Sequence, residues 1–212
     1  MRALRDELGV PDHHPPAVQL LAARRARSSR IGDRADLRDT PFVAVDPEGS
    51  RDLDQAYFAE RRGSGYRVRY AIADVAHFVS QGDAIDAEAR ARGVTLSAPD
   101  GNAALHPAVL SEGAASLAAR RERPALVWRL DLGADGSLLD AGLERARVMT
   151  SEAISYDEAQ RRIDVGQGPA SLSLLREIGE LRGERERERG GVSVNLPGQE
   201  VESSDEGYVL RF

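Results

Sequence analysis

The sequence predicts an α+β fold: a mixed, mainly antiparallel sheet with helices packed against it. Three observations predict it. YRVRYAIAD (66–74) and ALVWRLDL (125–132) alternate in polarity, as half-buried strands do. The period changes to a helical one over 83–92 and again from 156 onward. Strands and helices follow one another without a regular strand–helix–strand repeat, which separates the pattern from a parallel α/β sheet.

Residues 1–36 form a polar lead-in with one short helical candidate, opened by Pro15 and Pro16 and given an apolar side by Val18, Leu20 and Leu21. Arg24, Arg25, Arg27 and Arg30 follow. They suit a basic arm touching phosphate, or, as charge runs usually do, a solvated linker or lead-in helix. Phe42–Val45 reads as a short apolar strand, 46–55 as an acidic loop, and Ala56–Glu60 as a second strand. The turn RRGSG leads into 66–74, a hairpin signal. Asp83–Arg92 reads as a helix ended by Gly93, with Ile85 and Ala89 four apart. TLSAPDGN (95–102) is loop, and Ala108–Leu117 is a further helical candidate. The turn GADG joins the strand Ala125–Leu132 to one near Leu143–Met149. Tyr156–Ile163 and Leu172–Arg189 read as helices, the second ending in the charged run RGERERERGG. The final YVLRF is strand-like.

The chain has 212 residues, enough for one domain or one domain with a terminal segment. No apolar run is long enough to cross a bilayer or serve as a signal peptide. Cysteine is absent, which excludes disulfides, thiolate metal sites and cysteine nucleophiles and fits a cytoplasmic setting. All 29 basic residues are arginine, a side chain that pairs bidentately with phosphate and stacks on bases. The net charge of −6 does not mark a nucleic-acid binder, so any nucleic-acid contact would need a local basic patch, a metal or another part of the protein.

The chemistry concentrates in the loop DPEGSRDLDQ. Asp52 and Asp54 are separated by one residue, so in an extended segment they share a face while Leu53 points away. Gly49 lets the preceding stretch turn sharply and bring Asp46 beside them. Crowded carboxylates repel one another, and a hard divalent cation relieves the repulsion. Mg2+ prefers oxygen ligands and keeps water in its shell. Such a site suits phosphodiester hydrolysis. The spacing alone also suits a surface turn, and the EF-hand register fails. Among other candidates, His77 reads as structural, and His106 as a capping or packing residue before Pro107. Asp74 reads as a helix cap, although it is a further carboxylate candidate. Arg67 and Arg69 share a strand face and suit phosphate or solvent. His13 and His14 carry no partner motif.

PFVAVDPEGSRDLDQA resembles the signature of the ribonuclease II-type RNB family. AIADVAHFV, the RARG helix end with its SAPDG loop, LHPAVLSEGAASL and RPALVWRLDLGADG follow in that family's order, from about Leu37 to the C-terminus. The resemblance implies a magnesium-dependent 3′→5′ exoribonuclease, with Mn2+ as the alternative metal, that hydrolyses single-stranded RNA to nucleoside 5′-monophosphates. On it, residues 37–212 are the N-terminal portion of an RNB domain. Asp46 becomes a metal ligand, Asp52 a ligand or ligand-orienting group, and Asp54 the residue whose loss most harms cleavage. For Asp52 a turn cap or partner of Arg51 stays open. Gln55 stands where the family usually has a fourth aspartate, so one metal position should weaken. Ser97 stands where the family has a base-stacking tyrosine, a platform worth ~1–3 kcal/mol. Ser97 and Arg51 fall on the RNA-binding side. The family's later phenylalanine clamp, its phosphate-stabilising arginine and its S1-type domain are expected from sequence outside this chain. A non-catalytic RNA-binding or regulatory module on a decayed RNB scaffold is the alternative.

Overall fold

The computed structural model describes residues 2–11, 13–28, 30–98, 101–194, 200–204 and 207–211. Five strands close into a barrel: β1 (Ala35–Val45), β2 (Gln55–Arg62), β3 (Gly65–Ala73), β4 (Glu122–Leu132) and β5 (Leu138–Ile154). Successive strands pair antiparallel, and β1 closes the ring against β5 in parallel, from Ala35↔Ala146 to Val45↔Ile154. The sheet is thus mixed and mainly antiparallel, as expected. Its closure was not expected, because the residues that close it lie far apart in the chain and leave no local pattern.

Inward positions explain the narrow ring. Ala44, Ala56, Ala71, Ala125 and Ala146 line its core with Phe42, Val127 and Val148, and Leu53 and Leu117 join them. Small side chains let few strands approach closely around a filled interior. The ring is weakest where β1 meets β2, registered only at Val43↔Tyr57. The β1–β5 register also shifts between Leu37 and Phe42, around Pro41, which has no N–H for a ladder.

Helices α1 (Arg2–Glu7), α2 (Pro16–Ser28), α3 (Ala84–Arg92), α4 (Tyr156–Asp164) and α5 (Ala170–Glu188) complete the chain, with a hairpin of β6 (Glu200–Ser204) and β7 (Gly207–Arg211). α3 ends as expected at Gly93, at φ +77°, and Asp83, read as its first residue, is its cap and accepts from the N–H groups of Ile85 and Asp86. α1 was not anticipated. α2 is not a solvated linker, because Val18 and Ala22, four residues apart, are buried against Phe78, Ile85, Leu110 and Ala115. α5 lies on the outer face of the barrel, where Leu174 and Ile178 meet Ala59, Tyr66 and Val68. Phe212 and the Pro99–Asp100 part of the SAPDG loop lie outside the described residues.

Four readings need correction. The segment 108–117 is not an α-helix but a π turn over Val109–Ala114, whose wide loop closes from the Ala115 N–H to the Leu110 carbonyl at 2.9 Å. The chain leaves the helical path there so that Leu117 reaches the barrel core. Both flanking strands, β1 and β5, run longer than the apolar stretches that signalled them. Arg67 and Arg69 are half-buried and paired within the sheet. Arg67 pairs with Asp131 at 2.6 Å and Arg69 with Glu60 at 3.3 Å. Asp74 occupies the cap position of the short 3₁₀ turn Val75–His77, but its side chain makes no cap hydrogen bond. It is fully buried and pairs with the nearly enclosed Arg34 at 2.8 Å. Arg34 also lies 3.1 Å from Nδ1 of His77, in keeping with a structural histidine.

Arg120 is the single non-glycine residue at positive φ among the described residues, at +59°. Its N–H donates to the Thr150 carbonyl at 2.7 Å, and its side chain is exposed. A left-handed arginine is strained, whereas asparagine tolerates that region. Arg120→Asn should therefore raise the unfolding free energy by about 0.5–1 kcal/mol. An unchanged urea midpoint would show that the strain is not expressed.

Candidate active site

β1, β3 and β5 end, and β2 and β4 begin, at the same end of the barrel. The acidic loop spans that end between β1 and β2. Its first half is a tight turn: the Ser50 N–H donates to the Pro47 carbonyl at 3.1 Å, with Gly49 at φ +78° in the third position. A type II turn requires that conformation, and glycine supplies it without strain. The second half is extended and clamped from both sides. Ser116 Oγ accepts from the Leu53 N–H at 3.2 Å and donates to the Arg51 carbonyl at 2.7 Å. The Leu117 N–H reaches the Leu53 carbonyl at 2.7 Å, and the Ala73 N–H reaches the Asp54 carbonyl at 2.8 Å. Leu53 is consequently buried in the barrel core while Asp52 and Asp54 are exposed on the opposite side.

The turn returns Asp46 to the electrostatic neighbourhood of the other two. Burial pushes the Asp46 carboxyl above its usual range. Ser50 opposes that shift by hydrogen bonding, and the charges of Asp54 and Asp52 add to it. Asp52 itself accepts from Ser50 Oγ at 3.2 Å rather than pairing with Arg51, which lies 3.2 Å from Glu112. Among the described residues, no three His, Cys, Asp or Glu side chains are close enough to hold a metal ion by themselves. The oxygen donor set still fits a hard cation, because Mg2+ is commonly held by one or two carboxylates and completes its shell with water and phosphate.

The uncompensated repulsion can be measured. Asp46→Asn should stabilise the metal-free protein by about 0.5–1 kcal/mol, because it removes the charge that burial and two neighbours disfavour. It should also reduce the rise in melting temperature on adding Mg2+. A Mg2+-induced shift as large as in the wild type would remove Asp46 from the cation's surroundings.

Two cavities flank the loop. One, of about 270 Å³, is lined by Asp46, Gln55, Tyr57, Tyr70 and Tyr156 among others. Burial pushes the Tyr70 phenol up, and the Asp54 charge acts in the same direction, so the phenol stays protonated as a donor. The other, of about 260 Å³, is lined by Asp52, Leu53, Asp54, Thr95 and His106 among others. Gln55 is thus grouped with Asp46, and Asp52 with Asp54. Ser97 is exposed and sits next to Leu96, which bridges to Ala103. Tyr70, Tyr156 and His106 were not singled out as site residues from the sequence. Their approach to the loop depends on β2–β3 pairing, which the RRGSG turn signals, and on the end of β5 and the π turn, neither of which has a local motif. The nearest signal was the position of Tyr70, four residues before Asp74 on an alternating strand.

The RNB domain family model matches residues 34–211. Exoribonuclease 2 of Aeromonas hydrophila is 30% identical over 185 residues, covering 84% of this chain and 28% of that protein. Ribonuclease R of Escherichia coli is 32% identical over 172 residues, covering 76% of this chain and 21% of that protein. The chain therefore spans about a fifth to just over a quarter of these relatives. Among solved structures, Mycoplasma genitalium RNase R in complex with ribose-methylated single-stranded RNA superposes with a TM-score of 0.87. It does so at 21% identity, over 100% of this chain and 35% of that one. Yeast Ssd1, described as a pseudonuclease, gives a TM-score of 0.66 at 19% identity, over 79% of this chain and 21% of that one. These two similarities speak to the fold.

Proposed function

The chain belongs to the RNB family, and from that premise we propose that it carries the cation-binding end of a 3′→5′ exoribonuclease acting on single-stranded RNA. The supporting observation is the acidic loop: Asp46, Asp52 and Asp54 share one electrostatic neighbourhood at the open end of a barrel, between two cavities. Asp46 and Asp52 hold Mg2+, or Mn2+ in its place, with the Gln55 amide as a weaker oxygen donor. A divalent cation bound there supplies Lewis acidity toward the phosphoryl group and a lowered pKa for water. The Asp54 carboxylate orients the attacking water. As the water oxygen bonds to phosphorus, the bond to the 3′-oxygen of the preceding nucleotide breaks, that oxygen takes up the proton the water gives up, and a nucleoside 5′-monophosphate is released.

With a net charge of −6, RNA affinity depends on the cation and on local arginines rather than on the overall field. Arg51 reaches phosphate by exchanging its contact with Glu112. Ser97 offers a hydroxyl but no stacking face. The remainder of an RNB domain and an S1-type domain are the proposed partners in closing an RNA channel.

The test follows a 5′-labelled single-stranded RNA in Mg2+ with this chain joined to the remainder of an RNB domain and an S1-type domain. Stepwise shortening from the 3′ end, stopped by chelation, is the expected result. RNA bound but never shortened would favour a non-catalytic RNA-binding module, the reading that Gln55 supports by leaving the site one carboxylate poorer.

A further inference from the structure

We propose that His106 contacts the substrate, holding the terminal ribose of the RNA strand through its imidazole in the cavity it shares with Asp52 and Asp54. The inference rests on the ribonuclease reading and adds a residue to it.

Most of the wall of that cavity is apolar, with Leu53, Val75 and Leu110 among its residues. Its hydroxyls are already engaged with backbone. Ser116 Oγ serves Leu53 and Arg51, Thr95 Oγ1 accepts from the Leu105 N–H at 3.0 Å, and Ser111 Oγ reaches the His106 carbonyl at 3.5 Å. Thr95 keeps an O–H to donate and Ser111 a lone pair to accept, and the lining side chains with no hydrogen bond to backbone are the two carboxylates and the imidazole. Nδ1 of His106 is buried and has no hydrogen-bond partner. A buried polar atom left unpaired costs about 1–3 kcal/mol, so a ligand that satisfies it gains affinity. The imidazole is held at the wall by its backbone. Pro107 fixes the backbone after it, and the Leu105 N–H and carbonyl before it are tied to Thr95 and, at 3.4 Å, to His14.

The chemistry of the partner follows. Burial and the neighbouring His14 favour the neutral ring, which makes His106 a poor phosphate clamp. Asp52 and Asp54 repel phosphate except through a cation, so phosphate belongs at their end of the cavity. The sugar and base then extend along the apolar wall. A neutral imidazole offers one donor and one acceptor, and a sugar hydroxyl is the nucleoside group that answers both.

Two oligoribonucleotides separate the possibilities, identical except that one ends in ordinary ribose and the other in 2′,3′-dideoxyribose. Binding is measured by fluorescence anisotropy with Ca2+ as the oxygen-coordinating cation. The wild type should bind the ribose-ended strand about two- to tenfold more tightly, the worth of one hydrogen bond. His106→Leu should lose that preference while keeping its affinity for the dideoxy strand. His106→Gln should retain part of the preference. Because the chain has four histidines, imidazole NMR provides a check that needs no variant: the His106 ring signals should move with the ribose-ended strand and not with the other. Equal discrimination by wild type and His106→Leu, or unmoved His106 signals on binding, overturns the proposal. A wild-type protein that binds neither strand overturns the ribonuclease reading first, and this role with it.

Discussion

Replacing Asp74 by alanine should lower the unfolding free energy by about 3–5 kcal/mol, the cost of leaving one member of a buried ion pair alone. Asp74 is fully enclosed, Arg34 is nearly so, and their contact is 2.8 Å. Arg145 approaches the same carboxylate oxygen at 3.7 Å but is itself largely exposed, so it cannot replace Arg34 in screening the charge from the interior. The bridge also has a topological role. It joins the segment just before β1 to the end of β3, and through His77 to the turn that carries Phe78 into the α2–α3 core. A loss of this size is comparable to the whole stability of many domains. Urea titration is the direct measurement, and its control is the double replacement Arg34→Met with Asp74→Leu. That pair removes both charges, so it should recover most of the loss. A single Asp74→Ala variant with an unchanged urea midpoint would mean that the pair is solvated in practice.

The elements that were legible in the sequence are those whose pattern is local. Tyr66, Val68, Tyr70 and Ile72 alternate with neighbours of the opposite face, and β3 falls within a residue of that reading. Asp83 and Gly93 bracket α3 with side-chain and backbone chemistry that acts within one turn. In the acidic loop, the opposed directions of Leu53 and its flanking aspartates follow from extended backbone alone. The return of Asp46 follows from a glycine placed where a type II turn needs one.

What was hidden depends on partners distant in the chain. Residues 35–41 are too charged to look like a strand. They become one because β5 pairs alongside and because Asp36, Arg38, Glu122 and Arg147 neutralise one another across strands. The first residues of β5 are mostly exposed and lack a buried face to betray them. The segment 108–117 has helical periodicity, but the demand that Leu117 fill the barrel overrides it. His106 looked like a residue at a helix start. Its place beside Asp52 and Asp54 arises from the π turn and from the bridge between Leu96 and Ala103, neither written in its neighbours.

Asp54→Asn should reduce RNA cleavage by about 10²–10⁴-fold, the range associated with losing a group that positions or deprotonates the attacking water. The effect should fall on kcat. Asparagine has the shape of aspartate, and the backbone here is held by the Ala73 N–H on the Asp54 carbonyl, which the substitution does not touch. The side chain is exposed, so stability should change by no more than about 0.5 kcal/mol. RNA affinity should hold or improve, because a negative charge leaves the path of a polyanion. Asp52→Asn makes the informative comparison. Asp52 lines the same cavity but already accepts from Ser50, and its charge is the lesser of the two acting on Asp46. Its loss should be the milder one, and more Mg2+ should partly rescue it if Asp52 is a ligand. More Mg2+ should do little for Asp54→Asn if Asp54 acts on water. Initial rates at two Mg2+ concentrations distinguish these roles. Equal product from wild type and Asp54→Asn would remove Asp54 from the chemistry and leave the loop as a charged surface turn.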